Sequence, residues 1–282
     1  MKQYLDTLKL ILDEGELIPN RTGISAITYP HISIRHDMSQ GFPLLTTKKM
    51  AWKSLKVELE FFIKGLRDKK WLQDRGCHIW DEWCNPAKIP DNLQGDAKKE
   101  YQLQEMDLGA VYGYQWRQFN DNIENPKADQ LKEVVAGLKS NPNNRQLICS
   151  AWNPLQIDEQ ALPPCHILWH VFVTNGKLHL CWFQRSCDWF LGVPFNLASY
   201  GLLLHLLAKE TGYKEGILTG FFSNCHVYEN HVDLARQQLE RCPLNLPFVR
   251  TSRFDNIFDW TYEDTVLDNY QSHSKLVAEI AV

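Results

Sequence analysis

A cysteine directly after two prolines, in residues 162–166, is the clearest sign of chemistry in the chain. Proline fixes its own φ and cannot donate a backbone hydrogen bond, so the pair ends regular structure and presents Cys165 at a bend. As a thiolate, cysteine is the most nucleophilic side chain that a protein carries. A single cysteine is nevertheless more often a small buried hydrophobe than a nucleophile, so its neighbours must decide between the two interpretations.

Polar residues of several kinds follow Cys165 along the chain. Residues 184–188 read Gln-Arg-Ser-Cys-Asp, and residues 192–196 read Gly-Val-Pro-Phe-Asn. Together they supply a cation, a hydroxyl, a carboxylate and an amide. Arg185, if it lies near the thiol, would lower its pKa and could also hold a phosphate. The pattern favours a catalytic nucleophile beside an anion-binding group.

The composition limits the class of protein. The chain has 282 residues, a net charge of -4 and 44% hydrophobic residues, which supports one large domain or two small ones with ample core. The mildly acidic balance argues against DNA or a membrane surface as partner. No apolar run is long enough to span a bilayer. Asp6 lies where a signal peptide would have its apolar core, so we expect a cytoplasmic protein.

Eight cysteines are scattered through the sequence. In a reducing compartment we expect them to be thiols. Cys77, His78 and Cys84 could be imagined as zinc ligands, but no second pair completes a site. We therefore expect no metal.

The periodicity of apolar residues predicts helices alternating with strands. Helices are predicted over residues 2–14, 51–64, 128–139, 195–210 and 229–239, and strands over 24–35, 145–152, 166–174, 177–186 and 217–228. The pair Asn175-Gly176 between two of the strands is a strong hairpin signal. Residues from about 84 to 107 are polar and poor in large aliphatics, which predicts a surface insertion and not a second domain.

Several polar or aromatic residues stand where these elements could make a site. Glu58 lies inside a predicted helix, where a carboxylate is usually on the wet face unless a site needs it. Trp80 and Trp83 would form an aromatic wall if their segment were helical, although composition alone favours plain core packing. Tyr112 precedes a glycine, where another molecule could approach closely.

The second half of the chain adds a further polar group. Asn196 begins a helix that is apolar nearly all round, so its amide is costly to bury without a partner. Asn224, His226 and Tyr228 alternate along a predicted strand and share one face.

Six motifs stand in one order along the chain: HIWDEW at 78–83, VYGYQW at 111–116, LPPCH at 162–166, QRSCD at 184–188, LGVPFN at 191–196 and HVYENH at 226–231. With these motifs the chain resembles the thymidylate synthase family from Arg21 to Val282. The resemblance implies an α/β fold (α+β, two-layer), with a large mixed β-sheet and helices packed on one side. It also implies one catalytic domain over residues 1–282 and a homodimer joined sheet to sheet.

The implied reaction is C5 methylation of dUMP to dTMP. In the family 5,10-methylenetetrahydrofolate is the one-carbon and hydride donor, and a cysteine forms a covalent adduct with C6. Addition of a thiolate turns C5 into an enolate-like nucleophile and so divides one hard step into easier ones. No metal takes part.

The resemblance also implies a role for individual residues. The catalytic group comprises Cys165, Glu58, Tyr112, Asn196 and Arg185. The dUMP ligands comprise Arg21, Arg145, His166, Arg185, Ser186, Asp188, Asn196, His226 and Tyr228, with Arg145 reaching the site of the neighbouring subunit. The folate site comprises Lys48, Ile79, Trp80, Trp83, Asp188, Leu191, Gly192, Phe195 and Val282, with Val282 closing over the ligands.

The chain departs from the family pattern at a few positions. Gln146 follows Arg145 where the family usually has a second arginine. Residues 222–224 read Phe-Ser-Asn where Gly-Gly-Asp is usual, and His170 replaces a strand glutamine. Relatives that make 5-hydroxymethylpyrimidine nucleotides share the early steps but let water attack the methylene. A dUMP 5-hydroxymethylase is therefore the alternative, and a non-catalytic nucleotide-binding protein is a second one.

Overall fold

A computed structural model of the chain describes residues 1–20, 22–120 and 128–279. The helices are α1 (Lys2–Glu14), α2 (Trp52–Ile63), α3 (Lys70–Gln73), α4 (Gly95–Gln104), α5 (Gly113–Gln118), α6 (Gln130–Ser140), α7 (Gly192–Thr211) and α8 (Val232–Leu239). The strands are β1 (Glu16–Ile18), β2 (Ala26–Asp37), β3 (Ile148–Ser150), β4 (His166–Thr174), β5 (Lys177–Asp188), β6 (Lys214–Tyr228), β7 (Phe248–Thr251) and β8 (Thr265–Asp268).

These elements form two compact units. The sheet unit consists of residues 1–51, 173–252 and 265 onward, and the Cys165 unit consists of residues 52–172 and 253–264.

The sheet unit contains a mixed sheet, as predicted. Its strands run in the order β1-β2-β6-β5, in which β6 is antiparallel to β2 and parallel to β5. The predicted hairpin turn is confirmed, since Asn175 and Gly176 have φ of 50° and 70° between the end of β4 and the start of β5. Both residues must adopt positive φ in this type of turn, and asparagine and glycine tolerate it best.

Large aromatic side chains fill the core of the sheet unit. The predicted buried helix is confirmed as α7, which packs on β5 and β6 and buries leucines on most of its circumference. On β5 the buried positions alternate, with Leu178, Leu180 and Trp182 inside. The Phe222 ring meets the rings of Trp182 and Trp189 edge-on, at centroid distances of 5.4 and 5.0 Å. Each such buried side chain contributes roughly 1.5–3 kcal/mol.

The Cys165 unit is built around α2. The buried side chains of α2 include Leu55, Leu59, Phe62 and Ile63, which its apolar pattern places on one face. Val57 and Phe61 are buried as well, so the helix is covered on more than one side. A Cβ at Gly113 would lie 2.1 Å from the Phe62 carbonyl oxygen, so only glycine lets α5 approach α2 so closely. This approach fixes where the residue before Gly113 can stand.

Two segments of the Cys165 unit have less regular structure than a helix or a full strand. Residues 78–83 form successive turns and not a helix, with backbone hydrogen bonds from Asp81 to His78 and from Trp83 to Trp80. The sequence predicts a strand over residues 145–152, whereas β3 covers only three of them and pairs with β4 antiparallel. Within the predicted insertion, α4 buries none of its side chains.

Candidate active site

Cys165 lies at the junction between an irregular segment and β4. Its side chain is half-buried, and its backbone N–H donates to the Tyr112 Oη at 2.8 Å. The two prolines before it place Cys165 one residue ahead of the strand, as the bend predicted. This hydrogen bond holds the backbone from which the thiol projects.

Tyr112 is held tightly on both sides. Its ring stacks on His166 at a centroid distance of 4.2 Å and on Phe62 at 5.0 Å. Its φ of 28° is a value that side-chain-bearing residues rarely adopt, and it persists because the close packing of α5 on α2 leaves no alternative. A phenol oxygen that accepts from a backbone N–H can still donate its own proton. The arrangement therefore presents a proton-transfer group beside the backbone of a cysteine.

His166 stays neutral in this environment. Its side chain is buried, and burial lowers its pKa from 6.5 to about 3. The pair Tyr112–His166 consequently stacks without a charge across the physiological pH range.

Glu58 is not on the wet face of α2. Its Oε1 accepts a hydrogen bond from the Trp80 Nε1 at 2.8 Å. Burial raises the pKa of Glu58 to about 7, and the indole hydrogen bond opposes that rise because it stabilises the carboxylate. A carboxyl group that titrates near neutrality can both accept and return a proton at working pH, as a general acid–base catalyst must.

Two indoles form a corner next to this carboxyl group. The Trp80 ring meets Trp83 edge-on at 6.3 Å and Tyr112 edge-on at 6.0 Å. Trp80 is buried, whereas Trp83 and Ile79 are half-buried and keep some access to solvent. The corner is therefore an apolar surface that could pack against a flat ring.

A second set of predicted residues lies in the sheet unit, at the ends of β5 and β6. The register pairs Ser186 with Asn224 and Asp188 with His226. His226 Nδ1 lies 2.8 Å from the Asn224 Oδ1, and the Tyr228 ring meets the His226 ring edge-on at 5.2 Å. Burial lowers the pKa of His226 while the Asp188 charge raises it, with burial the larger effect. A neutral histidine whose Nδ1–H is donated to an amide oxygen leaves Nε2 to accept from a hydroxyl.

The amide of Asn196 has a defined orientation. Trp182 Nε1, which can only donate, lies 3.2 Å from Gln184 Oε1. Gln184 Nε2 must then donate, to the Ser186 carbonyl at 3.0 Å and to Asn196 Oδ1 at 2.9 Å. The Asn196 amide consequently offers its N–H group in the other direction. Sequence reasoning missed this role of Gln184, although the residue opens one of the six motifs.

Two other predicted residues, Asp188 and Lys48, form hydrogen bonds to the backbone just before α7. Asp188 Oδ1 accepts from the backbone N–H groups of Phe190 and Leu191 at 3.0 and 2.9 Å, which fixes the turn into α7. Lys48 is buried, and its Nζ donates to the Phe190 carbonyl and lies 4.0 Å from the centre of the Phe190 ring. Burial lowers the pKa of Lys48 to about 8, and the charge of Asp188 raises it.

The remaining predicted residues are more accessible. Arg185, Leu191, Gly192 and Phe195 are half-buried, and Arg145 is exposed in the loop before β3. The predictions for Arg21 and Val282 concern residues outside the described ranges.

The altered segment 222–224 contributes to both the core and the second set of residues. Phe222 is buried in the aromatic core of the sheet unit, and Asn224 is exposed and bonded to His226. Among residues 1–20, 22–120 and 128–279, no group of three His, Cys, Asp or Glu side chains is placed to hold a metal ion. Across the same ranges no helix has the length and apolar character to cross a membrane.

Comparison of the sequence with known proteins identifies the family. A family model described as thymidylate synthase matches residues 2–282, and the chain belongs to the thymidylate synthase family. It is 42% identical over 293 residues to the thymidylate synthase of Mycoplasma pneumoniae, covering 100% of both chains. It is 41% identical over 294 residues to that of Mycoplasma genitalium, again covering 100% of both. It is 39% identical to the bifunctional dihydrofolate reductase-thymidylate synthase of Paramecium tetraurelia, over 99% of this chain and 61% of that protein.

Proposed function

We propose that the protein is a thymidylate synthase, which converts dUMP to dTMP with 5,10-methylenetetrahydrofolate as cosubstrate. The observation that carries the proposal is the cluster in the Cys165 unit. It joins the Cys165 backbone to the Tyr112 hydroxyl at 2.8 Å and places the Glu58 carboxyl, with a pKa of about 7, against Trp80. Family membership over residues 2–282 supports the same activity.

The reaction begins at Cys165. Its thiolate adds to C6 of the uracil ring, and the electron pair of the C5–C6 double bond moves towards O4. Donors placed in advance stabilise the charge that develops on O4, and Asn196 with waters held by Glu58 would supply them. After C5 has formed its bond to the transferred carbon, Tyr112 serves as the base for the C5 proton. After the transferred carbon has received a hydride, breaking the Cys165–C6 bond restores the C5–C6 double bond and the thiolate.

The cosubstrate supplies the one-carbon unit and the hydride when it is bound. The Trp80–Trp83 corner fits this requirement, because an apolar wall can hold a flat ring and exclude water from the reacting atoms. Ile79, Leu191, Gly192 and Phe195 complete the proposed folate site, with Asp188. Lys48 would contact the glutamate tail, and Val282 would close over the ligands.

The sheet unit would recognise dUMP. Asn196 can donate to O4 and accept from N3–H, and its orientation by Gln184 supports this assignment. His226 and Tyr228 would hold the deoxyribose 3′-hydroxyl. Arg21, Arg185 and Ser186 would bind the phosphate, and His166 and Asp188 would complete the nucleotide site.

The fate of the methylene separates the proposal from its alternative. A hydroxymethylase would need water at the carbon that receives the hydride. The change at residues 222–224 first suggested that possibility, but the Phe222 ring lies in the aromatic core and Asn224 Oδ1 is engaged with His226. The similar proteins that span the whole chain are thymidylate synthases. Hydride transfer is therefore the favoured step.

The protein would act as a homodimer. The face of β5 and β6 away from α7 carries Phe183 and Phe221, which lie opposite each other in register and are 37% and 46% exposed. Apolar groups of this size on a flat sheet face favour association with a second copy. The exposed Arg145 would then reach the phosphate site of the partner subunit. All eight cysteines, each within the described ranges, are thiols, which supports a cytoplasmic location.

The proposal is tested by an assay that follows both the folate product and the nucleotide product. Incubation with dUMP and methylenetetrahydrofolate should generate dihydrofolate, detected by its absorbance. Tetrahydrofolate without dihydrofolate would indicate the hydroxymethylase. Binding of dUMP without turnover would indicate a nucleotide-binding protein.

A further inference from the structure

Lys69 is a charged residue in the interior of the Cys165 unit. It stands immediately before α3, and none of its surface is accessible to solvent. Its Nζ donates to three backbone carbonyls, those of Asp81 at 2.7 Å, Trp83 at 2.9 Å and Gln102 at 2.6 Å. An ammonium group has three donors, so each proton of Lys69 has an acceptor.

These three carbonyl groups compensate the cost of burying the Lys69 charge. Gln102 lies in the last turn of α4, where helix carbonyls have no partner within the helix and the helix dipole is negative. A cation at that position satisfies an orphan acceptor and gains from the dipole. Burial lowers the pKa of Lys69, and the charges of Asp81 and Glu105 raise it. None of the α4 side chains is buried, so the predicted insertion contacts Lys69 through the backbone carbonyl of Gln102.

The other two carbonyls belong to the turn that carries the indole corner. Asp81 and Trp83 follow Trp80 in this turn, at one and three residues after it. The Trp80 Nε1 donates to the Glu58 carboxylate at 2.8 Å. Gln73 adds a hydrogen bond from its Nε2 to Asp81 Oδ1 at 2.9 Å. Turns are held by few bonds of their own, so the position of Trp80 depends on such external ties.

We propose that Lys69 is a positioning residue, which fixes residues 78–83 so that Trp80 reaches Glu58 and forms the folate wall with Trp83. The kinetic part of this inference rests on the proposed function. The structural part does not, because the rigidity of residues 78–83 is measurable in the protein without ligands.

The first test is hydrogen exchange in the ligand-free Lys69→Met protein. Methionine has a similar length and no donor. The amides of Asp81 and Trp83, which close the two turns, should exchange at least about tenfold faster, equivalent to about 1.4 kcal/mol. Lys70→Met is the matched control, since Lys70 is an exposed neighbour paired with Asp74 at 2.7 Å. Lys70→Met should leave both amides unchanged. If Lys69→Met does not fold, Lys69→Gln, which keeps two donors, replaces it.

The second test is kinetic. Lys69→Met should raise the KM for methylenetetrahydrofolate and lower kcat, each about tenfold, because small displacements of positioning groups are costly to turnover. The dissociation constant of dUMP alone should change by less than about twofold. The inflection of the pH profile that follows Glu58 should move to higher pH. In a Trp80→Phe background the second substitution should add no further pH shift, since its effect passes through Trp80.

Two results would overturn the inference. One is unchanged exchange at Asp81 and Trp83 in Lys69→Met or Lys69→Gln. The other is an equal loss of dUMP and folate binding without a pH shift, which would mean a general loss of structure. Failure of the intact protein to make dTMP would refute the proposed function and leave the exchange result as the test of Lys69.

Discussion

Replacing Trp80 with phenylalanine should shift the titration of Glu58 upward. The substitution keeps an aromatic ring and removes the N–H that lies 2.8 Å from the carboxylate. Because that hydrogen bond stabilises the ionised form, its loss makes Glu58 hold its proton more tightly, and the pKa rises above its value of about 7.

The size of the shift follows from the bond. A hydrogen bond to a charged group contributes about 1.5–3 kcal/mol, and one pKa unit corresponds to about 1.36 kcal/mol. Glu58 keeps some access to solvent, so water would replace part of the lost bond. We therefore expect the low end of the range, a shift of about one pKa unit.

The assay is the pH dependence of kcat and kcat/KM for dUMP. The inflection that follows Glu58 should move upward by about one pH unit in Trp80→Phe. Trp83→Phe is the matched control, since it removes a neighbouring indole and leaves the Trp80–Glu58 bond in place. An inflection that stays at the same pH or moves to lower pH in Trp80→Phe would refute the inference that this hydrogen bond lowers the pKa of Glu58.

Three further predictions concern other parts of the protein. Glu58→Gln should stabilise the protein at pH 8 but not at pH 5. The pKa of Glu58 is about 7 in the folded protein against 4.5 when unfolded, so the free energy of unfolding falls by about 3 kcal/mol as pH rises from 4.5 to 7. Thermal melts of both proteins at pH 5 and pH 8 should show the difference. Asn196→Asp should shift preference from dUMP towards dCMP, because a protonated carboxyl group suits the reversed donor pattern of cytosine, and an unchanged ratio of kcat/KM values would remove Asn196 from base recognition. Mixing inactive Cys165→Ser and Arg145→Ala subunits should restore part of the activity, because one site of each heterodimer has both residues, and no recovery after confirmed subunit exchange would argue against a shared site.

Patterns within single elements were predictable from the sequence. The apolar period of α1, the long apolar run of α7 and the Asn175-Gly176 turn each depend only on residues near in sequence, so local rules locate them. The motifs identified the family and with it a set of candidate residues. The structure then placed Tyr112 and Cys165, which are 53 positions apart, in contact.

Contacts between distant residues were not predictable in the same way. Glu58 and Trp80 are 22 positions apart, and nothing in either local pattern indicates their hydrogen bond. Phe222 stands out in the sequence as a departure from the family pattern, and no local rule shows that its side chain packs against Trp182 and Trp189. Lys69 belongs to a charged run that local rules assign to the surface, and only three carbonyls from distant segments make its burial tolerable.

Mass spectrometry of the product nucleotide tests the central claim most directly. The intact protein and Cys165→Ser would each be incubated with dUMP and methylenetetrahydrofolate. We predict dTMP as the main product of the intact protein, and for Cys165→Ser retained dUMP binding with turnover reduced by several orders of magnitude, because only the nucleophile is lost. A dominant 5-hydroxymethyl-dUMP peak from the intact protein, or near-native turnover by Cys165→Ser, would contradict the account.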